Sequence, residues 1–283
     1  MYLNIFEMKD KLTLGFSSCP NDTFIFDALA NKHINTEGID FEIIMEDIET
    51  LNQLAFKGKL DITKVSFITW LKLTKKYKLL HTGSALGKGC GPLLISRTPV
   101  DKANIPLMTI AIPGINTTAN MLLNFAFPFI ENRKSMLFSK IEESVLKQET
   151  DLGVIIHESR FTYQSKGLIK IMDLGEYWEE KTGCPIPLAG IAIKNKIHSE
   201  IRKKVDKLIK QSIEYAFLNY PTISEYVKMN AKEMDESVMR NHIDLYVNDY
   251  SFDLGNEGLR SLNILADQAH SAGILIQRPQ IVI

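Results

Sequence analysis

Two α/β units joined by two crossovers, followed by a helical tail, are what this 283-residue chain predicts. The expected molecule is a hinged, two-lobed α/β protein with its ligand cleft between the lobes. Three observations carry that reading. Short apolar strand segments alternate with helical ones from Leu12 to Ser96, the pattern restarts at Met108 after a polar, proline-bearing stretch, and the chain beyond Ser199 reads as helix. Strands separated by helices imply a mostly parallel sheet covered on both faces. The larger lobe is expected to be discontinuous, residues 1–98 with 195–283, and the smaller lobe to be 99–194.

In the first unit Leu12–Phe16 is a short apolar strand, and Asn21-Asp22-Thr23 has the character of a helix cap before Phe24–Leu29. Ile39–Met45 reads as a second strand, Ile48–Phe56 as a helix ended by Gly58, and Leu60–Ser66 as a buried strand running into a helix at Ile68–Lys75. Leu79–Thr82 and Pro92–Ser96 read as further strands, and Arg97–Lys102 as a crossover. In the second unit Met108–Ile112 is a strand, Pro113-Gly114 a turn, and Thr117-Thr118 the start of a helix that Pro128 stops. Leu152–Ile156 is another apolar strand, Gly183–Pro187 a rigid loop, and Leu188–Ile193 a strand that leads back. In the tail, Ile201, Val205, Leu208, Ile209, Ile213, Ala216 and Phe217 recur at helical spacing and form one apolar stripe. Pro221 ends that helix, and Glu236–Val247 and Glu257–Ala272 follow as two more.

Composition narrows the function. Hydrophobic residues at 45% and charged residues at 24% exclude disorder, collagen and coiled coil. With 33 Lys+Arg against 34 Asp+Glu, nothing in the overall charge favours nucleic acid or an anionic membrane, so the expected partner is a small molecule. Cys19, Cys90 and Cys184 are odd in number and far apart, which speaks against a disulfide framework or a structural zinc site and fits a reducing compartment. Residues 1–16 carry Glu7 and Asp10 and no apolar run of signal-peptide length, and no stretch reaches the roughly 18 apolar residues of a membrane span. A cytoplasmic protein is expected.

Several places offer chemistry. The glycine-rich stretch His81–Gly91 fails as a phosphate loop: three residues, not four, separate Gly83 from Gly87, Gly89 follows Lys88, and a strand comes next. It reads as a flexible turn near a cleft. Thr117-Thr118 follows a strand and a tight turn where a helix begins, so free N–H groups and two hydroxyls could meet a carboxylate there; simple N-capping is the alternative. Ser17–Thr23, with Asn21, Asp22 and Thr23, is a polar loop at the carboxyl end of a strand, where open α/β sheets collect ligands, and Lys64-Val65-Ser66 closes a strand facing the same crevice. His157 directly follows the strand Leu152–Ile156, and a neutral imidazole is the natural general base near neutral pH; a hydrogen-bonded loop histidine is the alternative. Arg160 is a second cation that a carboxylate, Glu158 or the other lobe could take up. His81 and His242 carry no assignment. No H-E-x-x-H, G-x-S-x-G or paired Cys/His cluster occurs, so no metal site is expected.

Four stretches taken together resemble the 1,4-dihydroxy-6-naphthoate synthases of the futalosine route to menaquinone. They are Phe16–Phe24 (FSSCPNDTF), Asp61–Ser66 (DITKVS), Pro113–Ala119 (PGINTTA) and Ile156–Tyr163 (IHESRFTY), and the tail His242–Asn248 is also similar to that family. The motifs keep their order through nearly the whole chain. The resemblance implies a fold like that of the type II periplasmic binding proteins, used as an enzyme, with cyclic dehypoxanthine futalosine as substrate. It further implies a lyase reaction giving 1,4-dihydroxy-6-naphthoate and a sugar-derived fragment without metal or organic cofactor. By motif, His157 would be the base, and Lys64-Val65-Ser66 with Thr117-Thr118 would line the substrate site. A pure binding protein and chorismate dehydratase, the sister enzyme of the route, are the rival readings; the CPNDTF and HESRFTY stretches favour the synthase.

Overall fold

The computed structural model describes residues 11–231 and 235–281. The expectation built on Glu7 and Asp10 therefore falls outside the described residues. The chain opens with β1 (Lys11–Phe16), α1 (Pro20–Ala30), β2 (Asp40–Met45), α2 (Ile48–Phe56), β3 (Ile62–Ser66), α3 (Phe67–Leu73), β4 (Tyr77–Leu79) and β5 (Ala85–Gly87). It continues with β6 (Leu93–Ser96), β7 (Ile110–Ile112), α4 (Thr118–Ala126), β8 (Arg133–Ser135), α5 (Ile141–Leu146), β9 (Leu152–Ile155), α6 (Ser159–Thr162) and β10 (Ile169–Asp173). It closes with α7 (Leu174–Thr182), β11 (Ile186–Lys194), α8 (Ser199–Asn219), α9 (Glu225–Asn230), α10 (Glu236–Tyr246), α11 (Asp249–Phe252) and α12 (Gly255–Ser271).

These strands form two sheets, ordered β2-β1-β3-β11-β4 with β5 also on β11, and β10-β6-β9-β7-β8. Each sheet has a parallel trio, β2-β1-β3 in one and β9-β7-β8 in the other, and an antiparallel remainder. The antiparallel partners are β11, which returns from the second unit, and β6, which enters it. A strand arriving from the opposite lobe runs against the βαβ trio, so the sheets are mixed where the sequence predicts them mostly parallel. Two strands also exchange sheets relative to that reading. Pro92–Ser96, placed with the first lobe, pairs with β9 in the second sheet, and Leu188–Ile193, placed with the smaller lobe, pairs with β3 in the first. The polar stretch Arg97–Lys102 is a surface turn after β6; the passage between sheets runs through the glycine-rich segment before it. At Gly91 a side chain would meet the Gly175 backbone at 2.3 Å, so close backbone approach requires glycine at that passage.

The predicted stripe of the tail is where the burial lies. Val205, Leu208, Ile209 and Ile213 of α8 are fully buried, and Ser212 donates to the Ile25 carbonyl of α1 at 2.6 Å. A second apolar cluster spans both units, joining Val65, Phe67 and Trp70 to Leu94, Ile110, Leu122 and Trp178 and to α12. The sheets thus share one core below the cleft. Among the described residues no helix is long and apolar enough to cross a membrane.

Candidate functional site

The carboxyl ends of β1, β3, β7 and β9 converge on one cleft. The first sheet lines it with Ser17, Asn21, Asp22, Lys64 and Ser66, and the second with Thr117, Thr118, Ala119, Ile156 and His157. Ligands of open α/β sheets gather at such ends.

Strand alternation decides the first wall. Successive side chains of β3 point to opposite faces, so Lys64 and Ser66 enter the cleft while Val65 turns into the core, 1% exposed. Val65 is therefore no lining residue, contrary to the sequence reading. Asn21-Asp22-Thr23 is likewise not a cap: Cys19 occupies that position, Pro20 opens the helix, and Asp22 lies in its first turn. Proline suits that first position because its missing N–H has no helical partner there. Asp22 and Asn21 reach the cleft, but Thr23 donates to the Cys19 carbonyl at 3.0 Å and is buried in the helix.

Lys64 and Asp22 form a buried ion pair at 2.8 Å, and Lys64 also donates to the Gly83 carbonyl at 3.1 Å. Asp22 accepts further from Asn21 Nδ2 at 2.9 Å and from the Ser17 N–H and hydroxyl at 3.1 and 2.7 Å. Four donors on two oxygens leave that carboxylate no role as a base, whereas the lysine keeps a third N–H for the cleft. Ser66 accepts from Asn52 Nδ2 at 3.0 Å and donates its N–H to Asn52 Oδ1 at 2.9 Å.

The second wall is a helix start. Thr117 caps α4 by accepting from the Asn120 N–H at 3.2 Å, and its own proton goes to the Gly114 carbonyl at 2.8 Å. Thr118 donates to the Leu188 carbonyl of β11 at 2.7 Å, tying the two sheets' elements together. Both hydroxyl protons are thus engaged by backbone carbonyls. The groups left for an anion are the N–H groups of Thr118 and Ala119, which have no intrahelical acceptor and sit at the positive end of the helix. The loop before them is held by α2 and α3: Glu49 accepts from the Asn116 N–H and side chain at 3.1 and 2.8 Å, and Thr69 donates to the Asn116 carbonyl at 2.7 Å.

His157 follows β9 with φ +58°, in the left-handed region. Lys32, Glu37 and Gln148 also lie there, but His157 alone of these four faces the cleft. A left-handed non-glycine residue costs about 1–3 kcal/mol, and such strain persists where the surroundings hold it. The half-buried ring packs edge-on against Phe138 at 4.9 Å and faces His242 at 6.0 Å. Arg160 does not line the cleft. It is bound to Asp173 at 2.6 Å and to the Gly91 carbonyl, so its guanidinium is engaged in anchoring the passage between sheets.

Sequence reasoning missed the contributions of α10 and of Cys90. From α10, His242 and Tyr246 stand one turn apart behind and beside His157, and Tyr246 and Cys90 line the cleft. The available signal was a polar ring within an apolar helical stripe, since Met239, His242, Ile243 and Tyr246 all share the buried side of α10. His242 is fully buried, and among the described residues neither ring nitrogen has a hydrogen-bond partner. Burial first, then the nearby His157 and Lys64, holds its pKa well below the usual histidine range, so it is neutral. Burial likewise pushes the Cys90 thiol up to about 12, which makes it a poor nucleophile.

Residues 12–271 match a family described as menaquinone biosynthesis. The chain belongs to that family. It is 36% identical over 272 residues to the 1,4-dihydroxy-6-naphthoate synthase of Thermus thermophilus, covering 96% of this chain and 98% of that one. With the enzyme of the same name from Streptomyces coelicolor it shares 35% identity over 94% and 95% of the two chains. A solved protein from Archaeoglobus fulgidus superposes with a TM-score of 0.90 at 29% identity, covering 95% of this chain and all of that one. The alkanesulfonate-binding protein of Xanthomonas axonopodis pv. citri, solved with MOPS bound, superposes at 0.76 with 10% identity over 98% of each chain. This member of the menaquinone-biosynthesis family therefore has the two-lobed, periplasmic-binding-protein-like fold that its motifs led one to expect.

Proposed function

We propose that the chain is a 1,4-dihydroxy-6-naphthoate synthase, a lyase that takes cyclic dehypoxanthine futalosine as substrate, with His157 as general base. One observation carries the reading: a strained histidine and the open N-terminus of α4 face the same cleft. A substrate carboxylate would lie on the Thr118 and Ala119 N–H groups, where helix end and free donors act together. The substrate's ketone acidifies the adjacent C–H. His157 would take that proton while the electron pair moves onto the ketone oxygen as an enolate. Loss of the sugar-derived fragment and aromatisation then draw the reaction forward. Lys64 and Ser66 supply cation and hydroxyl along the opposite wall.

The test is turnover of cyclic dehypoxanthine futalosine by protein treated with a chelator, with His157→Ala beside it. The expected result is product from the wild type, and a kcat lower by roughly 10²–10⁴-fold in the variant with substrate affinity kept. The fold shared with an alkanesulfonate-binding protein favours a second reading, ligand capture without chemistry. Tight binding with no product from the wild type would establish that reading instead.

A further inference from the structure

Tyr246 ends α10 at the cleft. It is 7% exposed, and it lines the cavity beside Cys90. Buried tyrosines as a rule place the hydroxyl on a partner. Among the described residues the Tyr246 hydroxyl has none, so its donor is directed to the cavity a ligand would fill. Its ring is fixed by His242 one turn earlier, with centroids 4.6 Å apart, and His242 in turn faces His157. Burial drives the phenol far above its ordinary pKa, with the nearby Arg160 charge opposing, so the hydroxyl stays protonated. That arginine is immobilised by Asp173 and the Gly91 carbonyl. A protonated donor without a protein partner, held rigidly near a fixed cation, suits an oxygen that gains negative charge during reaction.

We propose that Tyr246 is a catalytic residue whose hydroxyl donates a hydrogen bond to the substrate's ketone oxygen as the enolate forms. The role rests on the lyase reading with His157 as base. In the step concerned the C–H bond breaks, its proton passes to His157, and its electron pair is delocalised onto the oxygen. Tyr246 keeps its own proton throughout and stabilises the charge without net transfer.

The experiment compares wild type with Tyr246→Phe, which keeps the ring and removes only the donor, on cyclic dehypoxanthine futalosine; thermal melting verifies that the variant is folded. The expected result is a kcat lower by roughly 10²-fold at nearly constant KM. A kcat within about threefold of wild type would overturn the role, as would a rise confined to KM, which marks a ground-state contact. Failure of the underlying reading is distinct, because the wild type itself would then form no product, and the role of Tyr246 would go with it. Where the melting temperature of the phenylalanine variant collapses, Tyr246→3-fluorotyrosine, which keeps the donor but makes it more acidic, decides: with the melt restored, a kcat shifted from wild type upholds the catalytic role, and a kcat equal to wild type overturns it.

Discussion

On the first-sheet wall of the cleft, Asp22 takes four donors and Lys64 spends two of its three N–H groups on protein. On the second-sheet wall, α4 presents N–H groups without helical acceptors, and His157 sits in a strained backbone conformation. The first wall is a densely paired polar scaffold, in which Asn21 Oδ1 and one Lys64 N–H are left over; the second holds strain and open donors. Saturated networks fix shape, whereas unmet donors and strained residues are where a ligand gains interaction energy. The contrast is between groups already paired on the first wall and unmet donors on the second, although both line one cavity.

That contrast has consequences in stability before it has any in rate. Lys64→Met leaves the Asp22 carboxylate buried and uncompensated, and urea unfolding should register a loss of about 3–5 kcal/mol. Removing both charges in Lys64→Met with Asp22→Leu should recover much of it, since no bare charge remains. If the single variant unfolds like wild type, the first wall is no scaffold. Thr118→Val is the smaller perturbation. It strips the donor from the Leu188 carbonyl and should cost about 1–3 kcal/mol, while ligand affinity changes little because the α4 N–H groups persist. A collapse of affinity in titration calorimetry would show that the hydroxyl, not the helix end, holds the anion.

The smallest effect is on acid stability. His242 is neutral in the fold because its pKa is depressed, whereas the unfolded chain protonates it near ~6.5. The unfolded state therefore binds more protons as pH falls below that value, and stability drops with it. Above ~6.5 the contribution is fully present. His242→Phe should flatten the fall between about pH 7 and pH 5, read from unfolding midpoints at each end of that window. An unchanged slope would place the acid sensitivity elsewhere.

Much of this site was legible residue by residue. Asn21, Asp22, Lys64, Ser66, Thr117, Thr118 and His157 come together in the cleft because each follows or closes a strand, and the carboxyl ends of parallel strands share one side of a sheet. Val65 and Thr23 also close or follow a strand, but strand alternation and the depth of α1 turn them inward. The sequence offers Arg160 to a carboxylate, to Glu158 or to the other lobe, but Asp173, thirteen residues away, takes it. Tyr246 lies in the family-like tail stretch His242–Asn248, far along the chain from His157, and nothing in that stretch says that α10 returns to the cleft. The glycine-rich segment, expected as a flexible turn near a cleft, does reach the cleft through Ala85 and Cys90, but it is a tightly packed passage on which Lys64 and Arg160 both close.

Two α/β units, a helical tail with one apolar stripe, and the strand ends from which polar side chains emerge are all readable along the chain. These follow from periodicity, which is local: a period of two or of 3.6 residues can be read within a dozen positions. Which sheet takes each crossing strand, which hydroxyls are already engaged, and that α10 completes the cleft emerge when the units pack. Those outcomes depend on contacts between residues tens to hundreds of positions apart, and their partners are settled when the two units pack on a common core.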